Sequence, residues 1–111
     1  MKEIDLRYPT CPIRNVLSRM SDKWSLLVLW TLKDADRMRY GGLRKAIPDI
    51  SHKMLTSTLK HLEADHLISR QAFAEIPPRV EYSLTETGKS LMPSVRMLID
   101  WAIKHQDAVL S

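Results

Sequence analysis

The chain has 111 residues, a net charge of +4 and one cysteine. That length suits one domain spanning 1–111, and no apolar run approaches the ~20 residues needed to cross a bilayer. The opening MKEIDLRYPT lacks the apolar core of a secretory signal, so a cytoplasmic location with no membrane partner is expected.

Residues 1–10 read as a short arm or tail. Cys11-Pro12 opens a first helix, because proline at the first helical position supplies φ and needs no N–H. Ile13, Val16, Leu17 and Met20 then share one face. Ser21-Asp22 resembles an N-cap, and Lys23–Leu32 is apolar nearly all round, the pattern of a core helix buried on most sides. Lys33–Arg39 reads as a polar connection. Tyr40–Ile47 is a short helix with Leu43, Ala46 and Ile47 inward, ended by Pro48.

Ser51–Asp65 is the stretch the others serve. Leu55, Leu59 and Leu62 form a narrow apolar stripe, with Met54 on its flank. Lys53, Ser57, Lys60 and Ala64 occupy the opposite face, with Thr56 and His61 beside them and no acid before Glu63. Ser51 is the predicted N-cap, and Ile50 can staple onto Leu55. Two helices joined by a tight turn predict a helix-turn-helix unit.

The period then changes to two. Leu67–Glu75 and Val80–Leu84 read as strands around Ile76-Pro77-Pro78-Arg79, a hairpin wing with Arg79 at its base or tip. Thr85 caps a last helix over about 86–109. Its apolar arc is wide: Leu91, Val95, Leu98 and Ala102 beside Met92, Ile99 and Ile103, with Trp101 on the flank. So broad an arc predicts a partner helix, most simply from a second copy. Pro93 is expected to bend this helix or delay its start. The predicted fold is mainly α with a small β-hairpin (α+β), a winged helix-turn-helix with N- and C-terminal dimerisation helices.

Charge placement points to a polyanion. Residues 37–61 hold Arg37, Arg39, Arg44, Lys45, Lys53 and Lys60 against Asp49 alone, whereas 85–111 balance Lys89, Arg96 and Lys104 with Glu86, Asp100 and Asp107. DNA fits this footprint. A winged-helix module that binds an acidic protein and no DNA is the alternative.

The order of elements and several strings resemble the HxlR-type winged helix-turn-helix transcriptional regulators of bacteria. They are Cys11-Pro12, Lys23-Trp24 with the apolar run behind it, Arg39-Tyr40, Leu43-Arg44, Ala46-Ile47-Pro48, Ile50-Ser51, Met54-Leu55, Leu62-Glu63-Ala64-Asp65, the string Pro77 to Thr85, Gly88 and Trp101. The resemblance implies a homodimer on a pseudo-palindromic double-stranded DNA operator. Carried onto this chain, it makes Ser51, His52, Lys53, Thr56, Ser57 and Lys60 the helix contacts and Arg79 the wing contact. The chain departs from the pattern at Gly41-Gly42, which weakens a helix, and at His66, which stands where a helix-ending glycine is usual.

Cys11 cannot form an intrachain disulfide. At a helix N-terminus with Arg14 close behind, it is a redox-sensing candidate, and the resemblance implies an oxidant or small-molecule effector. The histidines lack metal-ligand spacing, and Gly41-Gly42 is no phosphate loop. No metal, no cofactor and no enzymatic activity are expected.

Overall fold

A computed structural model describes residues 6, 7 and 10–111. The reading of residues 1–10 as an arm lies largely outside them. The elements run α1 (Pro12–Met20), α2 (Lys23–Lys33), β1 (Met38–Arg39), α3 (Tyr40–Ala46), α4 (His52–Ala64), β2 (Ile68–Phe73), β3 (Arg79–Leu84) and α5 (Glu86–Leu110). They form a winged helix: mostly helical, with a three-stranded antiparallel sheet in the order β1-β3-β2.

Local chemistry sets the helix starts. Asp22 caps α2 by accepting from Ser25 N, Ser51 caps α4 by accepting from Met54 N, and Thr85 caps α5 by accepting from Gly88 N. Pro12 opens α1 in place of a side-chain cap. The end of α4 is a full Schellman motif. Leu67 N donates to Leu62 O and His66 N to Glu63 O, both at 3.0 Å, with His66 at φ 63°. Of the two outcomes open to a histidine where glycine is usual, the left-handed conformation or a different helix ending, the chain takes the first. Leu62 and Leu67 are both buried, which supplies the apolar contact this motif favours.

One core joins the elements. Val28, Leu29 and Leu32 of α2 meet Leu43, Ile47 and Ile50, the Leu55–Leu59–Leu62 stripe of α4, Ile68 and Leu84 of the sheet, and Met92 and Val95 of α5. Gly88 lets α5 settle onto the sheet, because a β-carbon there would lie 2.2 Å from the carbonyl oxygen of Leu67.

Several sequence expectations change. The linker before α3 contains β1, whose Met38 and Arg39 pair with Tyr82 and Glu81; two residues are too few to show a period. α3 stops at Ala46, which is exposed, and the buried Ile47 is its C-cap. α2 is less enclosed than its composition suggests. Leu27 is exposed, and Trp24 and Trp30 are half-buried under the ammonium groups of Lys23 and Lys33. β2 ends at Phe73, and β3 begins at Arg79 rather than at Val80. Pro93 does not delay α5, which starts at Glu86 and runs through it.

α1 and the far half of α5 stand apart from this core. No residue of α1 is buried, and Val16 and Leu17 are 49% and 46% exposed. Along α5 no residue beyond Val95 is buried, and Leu98, Trp101 and Ile103 are all more than half exposed. The radius of gyration is 16.0 Å, above the roughly 13 Å of a compact chain this long.

Candidate nucleic-acid interface

α4 presents its sequence-predicted face to solvent. Ser51, His52, Lys53, Ser57 and Lys60 are exposed, and Thr56 is half-buried. His52, Lys53, Thr56, Ser57 and Lys60 line one shallow groove. They lie together because i, i+3 and i+4 positions share a face, and the Leu stripe opposite them is locked in the core. The first turn of α4 carries no acid, so its free N–H groups keep their positive end. Ser51 Oγ accepts from Met54 N at 3.0 Å, and its hydroxyl proton remains available to an acceptor.

Two neighbours reshape the expected face. Tyr40, at the start of α3, hydrogen-bonds His52 Nδ1 through its hydroxyl and packs edge-on to the imidazole. It therefore fixes the orientation of the first α4 residue, a role that sequence reading missed. His61 lines the same groove while its Nε2 reaches inward. Its Nε2 lies 2.8 Å from the carbonyl oxygen of Arg19, which can only accept, so this nitrogen carries the proton. Ser25 Oγ is 3.3 Å away, and it donates to Asp22 at 2.7 Å. Arg19 closes the tie by pairing with Asp65 at 2.7 Å. The last turns of α1 and α4 are thus joined. Burial works to raise the Asp22 carboxyl, but hydrogen bonds from Ser25 and the charge of His61 outweigh it and hold the group below its usual value.

Charge is unevenly satisfied. Among the described residues, Arg39, Arg44, Lys45, Lys53, Lys60 and Arg70 have no carboxylate partner. Arg79 does. It opens β3 at the base of the wing, 3.5 Å from Glu75 and 3.6 Å from Glu81, with its guanidinium 4.0 Å over the Phe73 ring. At the tip, Ile76 is fully exposed. Cys11 is half-buried at the N-cap of α1, in a shallow depression shared with Thr10, Arg14, Asn15 and Ser18. Among the described residues no group of three His, Cys, Asp or Glu side chains could hold a metal ion, and no helix is long and apolar enough to cross a membrane.

The HxlR-like helix-turn-helix model matches residues 19–109. An uncharacterized HTH-type transcriptional regulator of Methanothermobacter thermautotrophicus is 44% identical over 91 residues, 82% of this chain and 69% of that protein. Among solved structures, the regulator YtfH of Salmonella typhimurium superposes with a TM-score of 0.84 at 36% identity, covering 97% of this chain and 96% of that one. The redox regulator HypR in its oxidized form superposes with a TM-score of 0.78 at 35% identity, covering 85% and 96%.

Proposed function

Because the chain belongs to the HxlR-like helix-turn-helix family of transcriptional regulators, we propose that it binds a pseudo-palindromic DNA operator as a homodimer, with α4 in the major groove. The outer face of α4 carries this reading: cations, hydroxyls and an imidazole, with no acid until Glu63, backed by a buried Leu stripe. Lys53 and Lys60 suit phosphates. Thr56, Ser57 and His52 can donate to or accept from base edges, and Ser51 sits where a helix N-terminus meets the backbone. The apolar residues that α1 and α5 leave exposed, among them Val16, Leu17, Leu98 and Trp101, supply the surface for a second copy.

The test is a gel shift on DNA upstream of the protein's own and adjacent genes. Affinity should fall steeply between roughly 50 and 200 mM salt. The protected region should hold two half-sites about one helical turn, ~34 Å, apart. Absence of binding at the lower salt by the reduced protein would reject the proposal.

We further propose that Cys11 makes the regulator responsive to oxidants or electrophiles. Its position at the start of α1, beside Arg14, supports this, as does likeness to a redox regulator. Operator affinity of the protein and of Cys11→Ser, each before and after diamide, should change only for the unsubstituted protein. Four equal affinities would end the idea.

A further inference from the structure

The wing carries two arginines, Arg70 on β2 and Arg79 on β3. We infer that Arg70, with Lys60 across a cleft, seats one backbone phosphodiester between the wing and α4. The inference rests on the DNA-binding reading above.

Strand alternation assigns the faces. Ile68 of β2 and Leu84 of β3 are cross-strand partners, and both are buried against the helices. Two residues along each strand, Arg70 lies opposite Tyr82 on that same face. Tyr82 packs against the core, as does Met38, its partner from β1. Arg70 therefore stands on the helix side of the sheet, at the point where the sheet outruns the core. The alternate pairs face the other way: Ser69 with Ser83, Gln71 with Glu81 and Phe73 with Arg79. The 2.9 Å contact between the Ser69 and Ser83 hydroxyls marks that outer face. Glu81 sits there, 3.5 Å from Arg37 and 3.6 Å from Arg79. Arg79 is thus turned from α4, stacked on Phe73 and flanked by two carboxylates. Two of its nitrogens already face carboxylates, which weakens its pull on a phosphate.

Between α4 and the inner face lies a cleft of about 380 Å³, with Lys60, Thr56 and Glu63 on one wall and Arg70 and Tyr82 on the other. That volume has room for a phosphodiester. Arg70 brings a planar fork that can grip two phosphate oxygens, Lys60 a mobile point charge, and Thr56 and Tyr82 hydroxyl donors. Neither Lys60 nor Arg70 has a carboxylate partner among the described residues. Glu63 opposes an anion, yet two cations against one carboxylate leave the cleft positive. Thr56 and Lys60 also belong to the exposed groove of α4, so the cleft continues that surface and a duplex lying on α4 would bring its backbone across.

The experiment is fluorescence anisotropy on two labelled duplexes, the region upstream of the gene and a random sequence of equal length, over a salt series. Circular dichroism verifies the fold of each variant. Arg70→Ala should weaken binding to both duplexes about tenfold and lower the salt slope by about one per subunit. Arg70→Gln, which keeps most of the side chain's bulk, should show the same loss. Arg79→Ala should melt at lower temperature with its salt slope unchanged. Glu63→Gln should tighten binding to both duplexes. The inference is overturned if folded Arg70→Ala and Arg70→Gln keep the affinity and slope of a parent that does bind, or if the slope loss appears in Arg79→Ala instead. A parent that binds neither duplex rejects the DNA-binding reading itself.

Discussion

α4 and α5 are both long amphipathic helices, and the chain finishes only one of them. α4 spans 13 residues. It is capped at Ser51, closed by a Schellman turn at His66, tied to α1 through His61 and Asp65, and seated by three buried leucines. α5 spans 25 residues, about 37 Å at the helical rise. Only Gly88, Met92 and Val95 are buried, and beyond Ile99 the helix leaves the core with Trp101 and Ile103 exposed. In the complex proposed above, the helix assigned to DNA is held by its own subunit, and the helix assigned to the assembly is left open for a second copy. Position in the groove and affinity between subunits are then separable.

Substitutions in the two helices put that contrast to the test. Leu62→Ala empties a fully buried site under α4 and should cost about 3 kcal/mol in urea denaturation, at every protein concentration; a concentration-dependent loss would mean that α4 is held by the partner instead. Gly88→Ala drives a β-carbon toward the Leu67 carbonyl and should cost about 2 kcal/mol, read the same way, because this turn of α5 packs within its own subunit. Asp22→Ala removes the α2 cap and an anchor of the His61 network, and should cost about 1 kcal/mol near neutral pH. The folded Asp22 carboxyl sits below its ordinary value of 3.8, so the unfolded chain takes up a proton first as pH falls. The contribution is complete above that value and fades below it, and denaturation curves of parent and variant should converge on acidification. His66→Gly relieves the left-handed histidine and should gain roughly 0.5–1 kcal/mol, since glycine's greater freedom when unfolded offsets part of the relief. Leu98→Asp should move monomer stability by less than about 0.5 kcal/mol while sedimentation shows the dimer dissociating. An unchanged dimer would place the subunit interface elsewhere.

Much of this contrast is legible in the residues. The Leu55–Leu59–Leu62 stripe, the Ser51 cap and the excess apolar arc of α5 each follow from helical spacing. His66 was marked by the absence of glycine at a helix end. What escaped reading lay in pairings between distant segments. β1 is too short to carry a pattern, and its partner lies more than 40 residues along the chain. The inward bond of His61 is invisible in sequence because the Arg19 carbonyl that receives it belongs to another helix. Tyr40 could not be matched to His52 before the turn between α3 and α4 had been folded. Arg70 is different, since its signal was present: counting by two from the apolar Ile68 assigns it to the helix side of the wing. Lys53, Thr56, Ser57 and Lys60 were found together because one helix face suffices to define them.

The fastening of α1 to α4 through Arg19, His61 and Asp65 has a thermodynamic consequence. Cys11 is the N-cap of α1, and the last turn of that helix bonds the last turn of α4. Equilibrium coupling between two sites is reciprocal, so whatever factor an adduct on Cys11 applies to DNA affinity, bound DNA applies to adduct formation. Under the proposed Cys11 chemistry, chromosomal occupancy would set the threshold of the response, so that operator-bound and free copies of the same protein would react to different doses of the same oxidant.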